Sequence, residues 1–202
     1  MLPNFYICTS CNEKLFLPFH EACYYLGSGA MGQLIRNEDL FAIPVRPAWC
    51  KTCSNLCIAE DIASLRDFEN AYGAVRRGKA VKYPLETEYM DQELAINEIQ
   101  SYLRWRMSRQ QKPRALCCGS HDFLYTDVEQ PLFRHAGCDF GSMEPRYSFL
   151  GPYCGHGPGI SSPADIRIYD AEGELKGKLT WRKREENAWD TEKLTYPVQP
   201  EE

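Results

Sequence analysis

Two pairs of cysteines near the start of the chain have the spacing of metal ligands. Cys8 and Cys11 form one CxxC pair in "YICTSC", and Cys50 and Cys53 form a second in "AWCKTC". Two intervening residues allow both thiolates of a tight turn to bind one ion at about 2.3 Å, and two such turns complete a tetrahedron. The spacing therefore predicts one zinc site made by all four cysteines.

This arrangement resembles the zinc ribbon over residues 5–57. In that class each CxxC pair lies on a turn at the end of a β-hairpin, and the metal replaces the core that so small a unit cannot form. The resemblance implies a structural zinc with no open coordination position. The chain differs from the usual pattern because 38 residues separate Cys11 from Cys50, where about 15 to 20 are typical. The apolar segment 13–47 within this gap is therefore predicted to be a packed insertion.

Paired cysteines also allow other chemistry. Disulfides require export, and we expect none because the N-terminal sequence lacks the features of a secretory signal. A thioredoxin-like redox pair requires a strand-to-helix junction that neither CxxC shows. Tetrahedral thiolates also accept iron, so spacing alone does not decide between zinc, the expected metal, and iron. Two further cysteines, Cys23 and Cys57, are interpreted as buried thiols rather than ligands.

A second group of cysteines and histidines follows Pro113. Its expected ligands are Cys118, His135 and Cys138, because "CGS" resembles the glycine-containing turn of a ribbon and "HAGC" spaces a histidine and a cysteine by three. A ribbon turn would have a cysteine at position 115, where this chain has Ala115. The fourth ligand stays open among Cys117, His121, Cys154 and His156. Free buried thiols and an open catalytic zinc are the alternatives for this group.

Helices and strands are predicted around these groups. Apolar residues recur every three or four positions over 59–77 and again over 88–110, the period of amphipathic helices with one buried stripe. Gly78 is the expected left-handed cap of the first helix, and Thr87 is the expected N-cap of the second. The two helices are expected to pair as a hairpin. Alternating apolar residues over 166–181, around a turn at 170–173, predict a β-hairpin.

The second predicted helix ends in a basic segment, 104–114, with one interleaved tryptophan. A cationic groove with an aromatic platform is what a single-stranded nucleic acid or an acidic partner uses. Cations also complement the macrodipole at a helix C-terminus, which is the competing structural explanation. The candidate binding residues are Arg104, Trp105, Arg106, Arg109, Lys112 and Arg114.

The bulk composition is that of an ordinary folded protein. Of the 202 residues, 44% are hydrophobic and 25% are charged, which argues against a disordered or collagenous class. The net charge of −5 gives no general attraction to nucleic acid. Because no run of about eighteen apolar residues occurs, no membrane association is expected. Many cysteines without an export signal predict a cytoplasmic location.

The predicted fold class is α+β, in three parts. A zinc-ribbon module with a long insertion occupies 1–58, a helical hairpin 59–112, and a β-rich module with the second candidate metal site and a loose tail 113–202. Closed thiolate sites favour a zinc-binding, non-enzymatic interaction or adaptor protein whose partner is a protein. The alternatives are a nucleic-acid-binding zinc ribbon acting through 104–114 and a small zinc-dependent hydrolase built around His135, Cys138 and the loop 151–163.

Overall fold

A computed structural model describes residues 5–27, 34–126, 134–135, 138, 141–146, 166–183 and 186–196. In chain order, its elements are β1 (Phe5–Cys8), β2 (Lys14–Phe16), β3 (Glu21–Tyr25), β4 (Leu34–Arg36), β5 (Leu40–Ala42), β6 (Val45–Cys50), β7 (Asn55–Glu60), α1 (Leu65–Arg76), α2 (Gln92–Ser108), β8 (Phe123–Tyr125), β9 (Met143–Arg146), β10 (Ile166–Tyr169), β11 (Leu175–Lys183) and β12 (Ala188–Lys193). The predicted mixture of α and β structure is confirmed, with strands in the majority.

The chain divides into two compact units. The larger unit combines Met1–Glu60 with Lys112–Glu202, and the smaller unit is Asp61–Gln111. All of the described strands belong to the larger unit, and both helices belong to the smaller one. None of the helices in the described ranges is long and apolar enough to cross a bilayer.

Among the described residues, three sheets build the larger unit. Two have three antiparallel strands each, in the orders β2-β1-β9 and β7-β6-β8. The third has six strands in the order β4-β12-β11-β10-β3-β5, and within it only β10 and β3 are parallel neighbours. The predicted hairpin over 166–181 is confirmed as β10 and β11. The described parts of the segment 13–47 are packed as predicted, because they contribute β3, β4 and β5 to a sheet shared with the C-terminal strands.

Buried side chains fix the positions of these sheets. The core of the six-stranded sheet consists of Cys23, Ile35, Leu40, Ile166, Ile168, Leu179 and Trp189. Glu60 at the end of β7 is fully buried, and its carboxylate accepts hydrogen bonds from the Tyr24 hydroxyl (2.7 Å) and the Arg114 backbone N–H (2.8 Å). Because a buried carboxylate needs such partners, this contact holds β7 against β3 and against the chain returning at residue 114.

The first helix begins later than predicted. Residues 55–60 form β7, which pairs with β6 along its whole length, so the helix cannot start at residue 59. Ser64 is the N-cap of α1, and it forms a capping box in which the Ser64 and Asp67 side chains bind each other's backbone N–H. This arrangement satisfies two donors that a helix start leaves free. At the other end, Gly78 has the predicted left-handed conformation, with φ of 73°.

The second helix also begins later than predicted. Asp91, and not Thr87, is its N-cap, because the Asp91 carboxylate accepts from the Leu94 N–H at 2.8 Å. The Thr87 hydroxyl instead accepts from the Val81 N–H at 2.9 Å. The two helices pack against each other, with the Phe68 and Tyr102 rings stacked at a centroid distance of 6.2 Å.

Candidate metal centres

The structure gathers the predicted ligands into two clusters. The histidine-containing cluster consists of Cys8, Cys11, His135 and Cys138, and the all-cysteine cluster consists of Cys50, Cys53, Cys117 and Cys118. In each cluster the four ligand atoms lie within 4.8 Å of one another. The prediction that the two CxxC pairs share one ion is therefore wrong. The physical reason is the strand pairing, because β1 and β6 end in different sheets and each CxxC turn meets its own later segment.

Both CxxC pairs are turns of the same local shape. Cys8 ends β1 and Cys50 ends β6, and each pair is followed by a residue in the left-handed region, Asn12 with φ of 61° and Ser54 with φ of 50°. The Asn12 N–H donates to the Cys8 carbonyl at 3.1 Å, which closes the first turn. Such a turn reverses the chain while directing both thiols to one side.

A third turn of this kind carries Cys117 and Cys118. Gly119 has φ of 75°, and its N–H donates to the Ala115 carbonyl at 2.8 Å. Ala115 therefore occupies the position at which the first cysteine of such a turn was expected, and the neighbouring Cys117 supplies the thiol instead. Four candidates were considered for the missing ligand. One of them, His121, lies outside the cluster and donates through Nδ1 to the Pro113 carbonyl at 3.0 Å. Cys154 and His156 lie outside the described residues.

Sulfur–sulfur distances in the all-cysteine cluster match a tetrahedron. Cys50 Sγ lies 3.6 Å from Cys118 Sγ, and Cys117 Sγ lies 3.8 Å from both Cys53 Sγ and Cys118 Sγ. Four sulfurs at about 2.3 Å from one zinc ion are separated by about 3.8 Å. The cluster thus has the size that a tetrathiolate zinc site requires.

The histidine-containing cluster has a compatible geometry and a supporting carboxylate. Cys11 Sγ lies 3.3 Å from His135 Nδ1, near the edge of about 3.5 Å expected for one sulfur and one nitrogen on a zinc ion. On the opposite side of the ring, His135 Nε2 lies 3.0 Å from Glu13 Oε2. With Nε2–H donating to this carboxylate, Nδ1 carries the free lone pair that a metal needs.

We expect the Glu13→Ala substitution to weaken zinc binding at this cluster by about tenfold. A carboxylate that accepts a hydrogen bond from a ligating histidine fixes the ring and increases its basicity. Its loss lowers the metal affinity by about 10- to 100-fold. We expect the smaller effect for Glu13, because its side chain is half-exposed. Competition with a chromophoric chelator measures the affinity. Glu69→Ala, an exposed glutamate of α1, is the matched control. Equal affinity in both variants would exclude the role of Glu13.

Gly141 closes the histidine-containing cluster from one side. A Cβ atom at this position would overlap Cys8 Sγ and approach Cys138 Sγ to 3.1 Å. The backbone of Gly141 also binds the cluster, because its carbonyl accepts from the His135 N–H at 3.1 Å. The absence of a side chain at residue 141 therefore allows the two thiols to meet.

Crowding in the all-cysteine cluster raises the pKa of Cys53, Cys117 and Cys118, whereas hydrogen bonds from its neighbours lower the pKa of Cys50. Burial raises the pKa of Cys53, as do a hydrogen bond with Cys118 and the charge of Cys117. A hydrogen bond with the neighbouring Cys57 raises the pKa of Cys117, and burial adds to that effect. Several thiolates this close together need a compensating positive charge, which a divalent cation supplies.

The basic segment does not present its aromatic residue to solvent. Trp105 and Arg109 are each only 5% exposed, and the Arg109 guanidinium lies 5.4 Å from the centre of the Trp105 ring. Arg106 donates to the Ala63 carbonyl at 3.0 Å, and Arg114 donates to the Gly119 carbonyl at 3.2 Å. Arg104 and Lys112 are exposed. These contacts give the segment structural roles, and nucleic-acid binding through it stays a prediction.

The sequence predicted seven of the eight cluster residues and left the eighth, Cys117, as one of four open candidates, whereas Glu13 and Gly141 were missed. The sequence "CCGS" indicated Cys117 as a ligand, because a glycine commonly ends a metal-binding turn. No local signal pointed to Glu13 or Gly141, since both act on residues far away in the chain.

No protein-family model, no curated protein and no solved structure matches the chain. In the part of the chain that the structure describes, it is a mixed α+β protein with two clusters, one of three cysteines and a histidine and one of four cysteines, that could each hold a metal ion.

Proposed function

We propose that the protein binds two structural zinc ions and acts as a non-enzymatic interaction or adaptor protein. The observation that carries the proposal is that each cluster offers four protein ligands within 4.8 Å of one another. Structural zinc sites are closed by four protein ligands, whereas catalytic sites use three and leave a position for water or substrate. The donor sets favour zinc, because three thiolates with one imidazole and four thiolates are both typical zinc sets.

The same observation weakens the hydrolase alternative. His135 and Cys138, its central residues, belong to a set of four ligands together with Cys8 and Cys11. A metal held by all four has no vacant position at which water could be activated. Structural binding is therefore the better use of these residues.

Exposed apolar residues at the sheet edges support a protein partner. Phe16, Leu34 and Leu124 are 69%, 42% and 54% exposed, and they lie on β2, β4 and β8, each of which ends its sheet in the described part of the chain. An edge strand can pair with an extended segment of another chain. The net charge of −5 favours a protein over a nucleic acid as the partner. Cysteine clusters suited to metal binding fit a reducing compartment such as the cytoplasm, which is the location that we propose.

Metal content tests the proposal. Protein purified without added metal should contain two zinc ions per chain by elemental analysis and native mass spectrometry. Cys11→Ser and Cys53→Ser should each remove one ion, and the double variant should remove both, because the two residues belong to different clusters. Cys23→Ser, a buried cysteine of the six-stranded sheet, is the control and should retain both ions. Metal-free protein would overturn the proposal.

Cobalt substitution then separates a closed site from an open one. Cobalt bound by thiolates in a tetrahedron absorbs visible light, and its spectrum should not change when azide is added, because no coordination position is vacant. A spectral change with azide would instead support the hydrolase.

A further inference from the structure

A fifth cysteine lies beside the all-cysteine cluster. Cys57 of β7 is 1% exposed. It packs in the same core as Cys50, with Cys117 and Cys118 against that core. A fifth thiol therefore lies next to the four proposed ligands without belonging to their cluster.

The backbone brings the segments that carry Cys57 and Cys117 together. Ala59 and Ala115 form an antiparallel bridge, and the Leu116 N–H donates to the Ile58 carbonyl at 2.9 Å. The chain then turns at residues 116–118, so the strand register ends before Cys117. Cys117 nevertheless packs against the core that contains Cys57, and both residues line one cavity. The two thiols therefore face a shared space in which a disulfide can form.

A cavity gives small molecules access to this pair. It has a volume of about 90 Å³, and Cys57, Cys117, His20 and Arg167 are among the residues that line it. One water molecule occupies about 30 Å³ of liquid, so a molecule of the size of hydrogen peroxide fits. The polar lining from Arg167 and His20 suits a small polar oxidant better than an apolar one.

We propose that Cys57 and Cys117 form an oxidation-sensitive pair, which a hydroperoxide entering the cavity converts into a disulfide, thereby releasing the zinc ion of the all-cysteine cluster. This inference rests on the proposed zinc binding at that cluster. After oxidation only Cys50, Cys53 and Cys118 remain as ligands, and a site with three ligands holds zinc less tightly.

The reaction proceeds in two steps. The Cys117 sulfur, which zinc binding would hold as a thiolate, attacks one oxygen of hydrogen peroxide, the O–O bond breaks, and a sulfenic acid forms while hydroxide leaves. The Cys57 thiol then attacks the sulfenic sulfur, the S–S bond forms, and the sulfenic oxygen leaves as water with the Cys57 proton. Two electrons pass from the two sulfurs to the peroxide, and no other reactant is needed.

Among the described residues, the histidine-containing cluster has no additional cysteine beside it. The described cysteines outside both clusters are Cys23 and Cys57, and Cys23 packs in the core of the six-stranded sheet. Peroxide is therefore expected to release one ion and leave the other bound.

The test follows zinc release from the two-zinc protein exposed to hydrogen peroxide, with a chromophoric zinc chelator as the probe. One zinc ion per chain should be released, peptide mass spectrometry should find Cys57 linked to Cys117, and a thiol reductant with added zinc should restore the ion. Cys57→Ala should bind two ions before oxidation and release zinc about tenfold more slowly. Cys23→Ala, an equally buried cysteine, should behave like the parent.

Release from Cys57→Ala at the parental rate would overturn the proposal, as would a disulfide that leaves out Cys57. Loss of zinc from Cys57→Ala before oxidation would also overturn it, because Cys57 would then be a ligand. Cys57→Ser serves as a second variant if the alanine variant does not fold. Zinc-free parent protein would instead refute the proposed function, and disulfide mapping would still report on the pair.

Discussion

Removal of both metal ions is expected to unfold most of the larger unit. Each ion would join chain segments far apart in sequence, residues 8–11 with 135–138 and residues 50–53 with 117–118. The sheets next to the clusters have only three short strands each, which is about the smallest sheet that is stable by itself. Structural zinc sites contribute an apparent binding free energy of about 10 to 16 kcal/mol at neutral pH. That contribution exceeds the net stability of many domains, about 5 to 15 kcal/mol.

Circular dichroism and thermal unfolding in the presence of a strong chelator measure this effect. Loss of the cooperative transition and its recovery after zinc is added back are the expected results. Chelator saturated with zinc beforehand is the control for nonspecific effects. An unchanged melting temperature in the metal-free protein would show that the ions do not support the fold.

Substitution of Gly141 by alanine is expected to empty the histidine-containing cluster. The added methyl group would overlap Cys8 Sγ and crowd Cys138 Sγ, so the two thiols could not reach the same ion. Zinc content should fall from two ions to one per chain, and stability should fall because a structural ion is lost. The all-cysteine cluster should keep its ion, since Gly141 belongs to a different sheet region.

Gly73→Ala is the matched control. Gly73 lies inside α1, and a Cβ there would meet only the flexible end of Arg77, at 3.4 Å. Alanine is the better helix former, so this variant should gain about 0.5 to 1 kcal/mol and keep both ions. Elemental analysis and thermal unfolding compare the two variants. Two zinc ions in Gly141→Ala would contradict the close packing described for this cluster.

The sequence was sufficient to identify ligands but not to pair them. CxxC spacing is a local property, so the turns at Cys8 and Cys50 are recognisable without a fold. Which turns share an ion depends on strand order, because β1 pairs with β9 whereas β6 pairs with β8. No pattern within either segment specifies that choice. The regular spacing of two CxxC pairs favoured the wrong pairing.

The start of α1 was also hard to predict, because the local sequence does not show which strands pair. The segment 55–60 is apolar enough to extend a helical pattern backwards, yet its pairing with β6 makes it a strand. The capping box of Ser64 and Asp67 was a local signal for the true start of α1. Apolar periodicity alone extends the helix back to residue 59 and therefore predicts a start that is too early.

The two clusters are nested along the chain, and this order has a consequence for synthesis on the ribosome. The all-cysteine cluster lies inside the span of the histidine-containing one, so its last ligand, Cys118, emerges well before Cys138. The smaller unit, Asp61–Gln111, lies wholly between the ligands of the all-cysteine cluster. The chain leaves and rejoins the larger unit at adjacent points, where the Glu60 N–H donates to the Arg114 carbonyl at 3.0 Å. Nascent chains should therefore acquire the inner ion first. The helical unit could be replaced by a short linker without separating the ligands of either ion.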